Sequence, residues 1–272
     1  PTAAFNNVTS WGTVYSPVGG FYAYSTVSQF NNIFNYNPVT GQENIISISE
    51  MKAYTSGACV DACGKIYITT GNTKMVVLDP TDNSYRILTL GMSSGNAVTP
   101  FLAPNGYVYA ACTYSNGGVY KINPETLEVT NIGTMEDYGI SNPYIYKWNL
   151  AADGKFYGAR NAMTGVVFDP VTEAFSTFAT STTVAQDTPS IIGLDNCLYS
   201  IKSNELKRLK LDGSGNVESL GSYTSWFPKA YGYAGNGALY MFYSKTAQII
   251  KIAPPSDVVL PSAKTMTGPW MS

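Results

Sequence analysis

The chain has 272 residues, with 16 Lys plus Arg against 18 Asp plus Glu, a net charge of −2 and only 12% charged residues. About a quarter is usual for globular chains, so a broad electrostatic footprint for nucleic acid or anionic lipid is excluded. There is no histidine, which excludes Ser-His-Asp and Cys-His catalysis, His-ligated zinc and a histidine general base.

Taken in chain order, two short elements recur. The first reads Gly19-Gly20-Phe21-Tyr22, then Gly64-Lys65-Ile66-Tyr67, Gly106-Tyr107-Val108-Tyr109, Gly154-Lys155-Phe156-Tyr157, Asn196-Cys197-Leu198-Tyr199 and Gly237-Ala238-Leu239-Tyr240. The tyrosines are 45, 42, 48, 42 and 41 residues apart. The second is centred 13 to 16 residues after each tyrosine. It reads Asn37-Pro38-Val39-Thr40, Asp79-Pro80-Thr81-Asp82, Asn123-Pro124-Glu125-Thr126 and Asp169-Pro170-Val171-Thr172, then Asp212-Gly213-Ser214-Gly215 and Ala253-Pro254-Pro255-Ser256. Asx-Pro starts a turn because Pro presets φ and the Asx side chain bonds the backbone two residues on.

Between these markers lie short apolar, β-branched runs such as Ile66–Thr70, Met75–Leu78 and Tyr85–Leu90. Another apolar run precedes each Gly-x-x-Tyr element, which gives four strands per unit. No amphipathic helix is evident, and no apolar run reaches the roughly 20 residues of a membrane span. Four antiparallel strands in six copies predict an all-β fold, a six-bladed β-propeller in one domain. The blades fall near 8–50, 51–91, 92–135, 136–180, 181–222 and 223–266, with a tail at 267–272. Asn105-Gly106 and Asp153-Gly154 predict type I′ hairpins. Val258-Val259-Leu260 or the segment 1–7 would complete the last blade.

The units Gly64–Leu90 and Gly154–Phe178 resemble YVTN- and NHL-type propeller repeats. That resemblance implies architecture rather than activity, because such propellers include adhesins, surface-layer proteins, lectins and hydrolases.

The loops entering each innermost strand and joining strands two and three are the expected site. Aromatic, amide and basic groups gather there: Trp11, Tyr54, Asn96, Tyr144, Tyr146, Trp148, Asn161, Trp226 and Lys229. They suit either a subunit contact or a sugar, whose C–H faces stack on rings and whose hydroxyls bond amides. Six-bladed lactonases and gluconolactonase-like proteins hold a central calcium with Glu, Asp and Asn. The acids here that fall in entry loops are Glu50, Glu136, Asp137 and Asp187, and they do not match that pattern residue by residue. Ca2+ is therefore only a weak cofactor expectation, and no catalytic residue is assigned.

Cys59 and Cys63, four residues apart across a tight turn, are expected to form a small disulfide if the protein is secreted. Asn7-Val8-Thr9 is a glycosylation sequon. Low charge, many hydroxyl and amide groups, and a chain beginning at Pro1 agree with an extracellular or cell-surface protein. The leading expectation is a non-enzymatic structural or interaction module, a subunit of a filament or coat. Its partners would be itself, other surface proteins or glycans, with no nucleic acid and no membrane insertion. A propeller lectin and a calcium-dependent hydrolase or lyase are the alternatives.

Overall fold

The computed structural model describes residues 11–25, 32–51, 55–70, 73–91, 98–112, 118–141, 145, 147–159, 163–183, 190–202, 205–222, 230–233, 239–243 and 248–252. Alternating and β-branched runs become strands, grouped in consecutive antiparallel sheets. Blade one holds β1 (Trp11–Ser16), β2 (Gly20–Ser25), β3 (Asn32–Tyr36) and β4 (Glu43–Ser47). Blade two holds β5 (Thr55–Val60), β6 (Ile66–Thr70), β7 (Lys74–Leu78) and β8 (Tyr85–Thr89). Blade three holds β9 (Val98–Leu102), β10 (Val108–Cys112), β11 (Gly118–Ile122) and β12 (Val129–Thr134). These three belong to one compact unit, Pro1–Pro143.

The second unit, Tyr144–Ser272, contains the rest. Blade four is β13 (Trp148–Leu150), β14 (Phe156–Gly158), β15 (Thr164–Asp169) and β16 (Ala174–Ala179). Blade five is β17 (Ile191–Ile192), β18 (Cys197–Lys202), β19 (Glu205–Lys210) and β20 (Val217–Ser222). A last sheet has three strands, β21 (Ala230–Tyr233), β22 (Leu239–Tyr243) and β23 (Gln248–Ile252).

The fold is thus an all-β propeller with four antiparallel strands per blade. Against the six such blades expected, the described residues form five, and the last sheet has three strands. In the sixth copy Ala253 stands where the other copies carry Asn or Asp. The segments proposed to complete that blade, 1–7 and Val258–Leu260, lie outside the described residues.

A single four-stranded sheet cannot bury both faces, and neighbouring blades cover each other. Tyr22, Tyr24, Ile33 and Ile46 of blade one pack with Ile66, Ile68, Val76 and Leu78 of blade two. Tyr67, Met75 and Val77 then pack with Val108, Ala110, Tyr120 and Ile122 of blade three. Successive side chains along a strand thus serve opposite neighbours, as the two-residue strand period requires.

The repeat markers are hairpin turns. The first hairpin of blades two to five is a three-residue loop ending in the left-handed region, not the predicted type I′ turn. Gly106 and Gly154 have φ of +85° and +81°, while Asn105 and Asp153 before them are not left-handed. In the fifth copy Asn196 takes that conformation, φ 55°, which explains how Asn replaces Gly there. In the Asx-Pro turns, Asn37, Asp79, Asn123 and Asp169 each accept a backbone N–H from two residues on, at 2.9–3.0 Å.

Candidate functional site

In an up-and-down sheet, the strand two to three connection and the exit of strand four share one end. That end is where sequence placed the site, and most of its loops lie outside the described residues. Tyr54, Asn96, Tyr144, Tyr146, Asn161, Trp226, Lys229, Asp187 and Asn7 lie outside the described residues, and the Trp11 side chain is not described.

The expected residues that are described have structural duties. Trp148, in β13, is 4% exposed and meets the Phe175 ring at 6.0 Å, so it belongs to the core. Glu50 sits in the 3-10 turn Ser49–Met51. It accepts the Ser49 hydroxyl at 2.8 Å, the main cause that holds its pKa below the usual carboxylate value. Asp137 lies in the 3-10 turn Met135–Tyr138. Its Oδ2 accepts the Thr134 N–H at 2.7 Å and the Thr134 hydroxyl at 2.9 Å. Those bonds keep its pKa low, and the Asp137 N–H donating back to Thr134 Oγ1 at 3.3 Å completes a capping box with the Thr134 N–H bond. Glu136, beside it in the same turn, is exposed.

Among the described residues no three His, Cys, Asp or Glu side chains are grouped to hold a metal. Glu50 and Asp137 already spend lone pairs on their own turns. These residues do not fit a calcium centre of the lactonase kind, which needs six to eight converging oxygens.

The expected disulfide is corrected. Cys59 and Cys63 are free cysteines. Cys59 lies inside the ladder opposite Tyr67, and burial pushes its thiol pKa up. Cys63 is exposed in the following turn, where its N–H donates to Asp61 Oδ1 at 2.9 Å.

The structure shows a device that the repeat markers only hinted at. A turn acid or amide reaches forward to the repeat tyrosine. Tyr67 donates to Asp61 Oδ2 at 3.0 Å, Tyr157 to Asp153 Oδ2 at 2.9 Å and Tyr199 to Asp195 Oδ2 at 2.8 Å. In blade three the sense reverses, and Asn105 Nδ2 donates to the Tyr109 hydroxyl at 2.9 Å. The legible signal was an Asx four residues before tyrosine in copies three, four and five. Blade one has Val18 there, and the buried Tyr22 hydroxyl has no hydrogen-bond partner among the described residues.

Blade five adds charge. Arg208 and Asp195, with side chains 3% and 6% exposed, pair at 2.9 Å. Arg208 also reaches Glu218 at 2.9 Å, and Lys210 bonds the same carboxylate at 3.3 Å. Burial, reinforced by the Asp195 carboxylate, pushes the Cys197 thiol up to about 11, so it is a poor nucleophile at neutral pH. Nearer the loop end, Lys207 Nζ donates to Thr183 O at 3.2 Å and lies 3.6 Å from Glu205. Nothing in the spacing of these residues announced the cluster, because β18 and β19 assemble it by register.

Sheet order, blade packing and turn chemistry together define a β-propeller. No family model matches the chain, and no curated protein matches it in sequence, so the YVTN- and NHL-type resemblance rests on architecture. Among solved structures, virginiamycin B lyase from Staphylococcus aureus with quinupristin matches with a TM-score of 0.74 at 14% identity, over 92% of this chain and 82% of that one. A streptogramin B lyase matches with a TM-score of 0.65 at 13% identity, over 92% and 85%. The extracellular domain of a hybrid two-component system from B. thetaiotaomicron matches with a TM-score of 0.60 at 15% identity. This chain covers 84% of itself but only 32% of that protein chain. At such identities the likeness shows the fold alone.

Proposed function

We propose that the chain is a non-enzymatic extracellular interaction module. The observation that carries this reading is the use made of its acids. Asp61, Asp153 and Asp195 each hold a tyrosine, Asp79, Asp169 and Asp212 close turns, and Asp137 caps one. In a chain without histidine, carboxylates are the first groups available for general acid–base work. These seven serve structure instead. The S. aureus lyase is catalytically inactive as a histidine-to-alanine variant, and this chain has no such residue type to offer.

An extracellular setting is supported by the low charge and by the likeness to extracellular domains of two-component and one-component systems of B. thetaiotaomicron. Among the described residues no helix is long and apolar enough to cross a membrane. The finer reading is a subunit of a surface assembly, in contact with itself or with other surface proteins. Low net charge lessens self-repulsion between copies.

Light scattering on native, unconcentrated material tests the assembly. We expect a defined species well above the 29.3 kDa chain mass, and a monomer overturns the subunit reading. Incubation with quinupristin tests the other half. Intact quinupristin is expected, and its conversion to any product overturns the non-enzymatic reading.

A further inference from the structure

The fourth strand of each blade stands at the edge of its sheet, where charges or bulges commonly guard against the addition of a further strand. β4 carries Glu43, β8 carries Arg86 and β20 carries Glu218. The ladders of β12 and β20 are bulged, at Val119/Tyr120 and at Leu206/Lys207 of the partner strands. Gly133 and Gly221 stand at those bulges with φ of +116° and +126°. β16 has neither device. It reads Ala-Phe-Ser-Thr-Phe-Ala, without a charge, and its ladder with β15 runs through six residue pairs without a shift. Ser176, Thr177 and Ala179 on it are exposed.

The missing charge selects the occupant. Two copies of one strand pair antiparallel about a two-fold axis, which lines both copies of every side chain along one shared seam. Any charge on the strand then shares the seam with its like, and like charges across strands are destabilising. β4, β8 and β20 carry that penalty, and β16 does not. A charged foreign strand, in turn, finds no counter-charge on β16. The ends of the hairpin add apolar surface. Met163 is 56% exposed and Val171 is 86% exposed. Met163 O accepts the Thr180 N–H at 3.0 Å, just past the end of β16, whereas Val171 lies in the Asp169 turn before its start. The two-fold sets the Val171 end of one copy beside the Met163 end of the other, twice.

We propose that β16 is a self-association edge. β16 of one copy adds antiparallel to β16 of a second copy and joins two four-stranded blades into one continuous sheet. Main-chain hydrogen bonds supply the attraction, as in other strand additions. This rests on the interaction-module reading and names the surface through which the subunit meets itself.

Light scattering of the full chain across a concentration series reads the pairing. The parent should gain mass with concentration, and Thr177→Lys and Thr177→Glu should each weaken the association about fivefold or more. A one-to-one mixture of the two variants should recover it, because the seam then holds opposite charges. Thr177 is exposed, so both variants should melt within a few degrees of the parent. Hydrogen exchange on the unmutated chain gives a second readout, with the amides of 174–179 gaining protection as concentration rises. A monomer at every concentration overturns both this edge and the subunit reading. Association that persists in Thr177→Lys, no recovery in the mixture, or protection gained only elsewhere overturns β16 as the contact and leaves the subunit reading standing.

Discussion

Two tyrosines at the same repeat position have opposite needs. Tyr199 donates a hydrogen bond to Asp195, whereas the buried Tyr22 hydroxyl lacks a partner among the described residues. Tyr199→Phe should therefore cost about 1 kcal/mol, while Tyr22→Phe should be neutral or stabilising, because a buried donor without an acceptor is a liability. Parallel denaturant titrations compare them. Asp195 has a larger role, since it also neutralises Arg208 in a site where both side chains are nearly inaccessible. Asp195→Ala should cost about 3 kcal/mol, because it leaves the buried guanidinium with Glu218 alone, with Asp195→Asn intermediate. The Tyr157 hydroxyl, pushed up to about 12 by burial and by Asp153, links stability to alkaline pH. Its folded pKa lies above the ordinary value of 10.0, so its contribution is complete below that value and is lost as pH rises through about 12. Thermal melts between neutral and strongly alkaline pH, with Tyr157→Phe as reference, should show a smaller alkaline loss in the variant.

At the scale of strands and turns, the turns were the most legible parts of the chain. Asx-Pro marked the outer hairpins because the acceptor and the preset φ are both local, so no tertiary information was needed. The inner hairpins were found but mistyped. Asn105-Gly106 reads as a two-residue turn, yet the loop begins one residue earlier, where Gly106 N–H donates to Ala103 O at 2.9 Å. The aromatic loop candidates fared differently. Trp148 looked like a ligand contact because it follows a tyrosine-rich loop, but strand alternation and the pairing Trp148↔Gly158 set it in the blade. The Asp195–Arg208–Glu218 cluster could not be read at all, because register across three strands creates it. Turn geometry also makes a prediction. Gly154 has φ +81° with open space where a Cβ would sit, so Gly154→Ala isolates the conformational cost, about 1 kcal/mol. Glu173, φ 55°, is the converse case, and Glu173→Gly should raise the melting temperature.

For the molecule as a whole, the low charge leaves few groups through which pH can act, and the aspartates whose pKa values are lowered lie in turns. Asp82, Asp137, Asp169 and Asp212 all have pKa values held below the ordinary 3.8 by hydrogen bonds from their own turns. Their contribution is present above that value and is lost as pH falls below it. Circular dichroism should show a flat stability plateau through mildly acidic pH and a decline only in strong acid. The tyrosine locks give these blades another property. Asp153 and Tyr157, like Asp195 and Tyr199, are four residues apart, so the inner hairpins of blades four and five are each fastened by groups encoded within a few codons. Duplicating one repeat duplicates its fastening, and damage to one lock leaves the others in place. Such a chain can lengthen by copying and let its copies diverge separately, as the exchange of Asp for Asn105 and of Gly for Asn196 already records in this one.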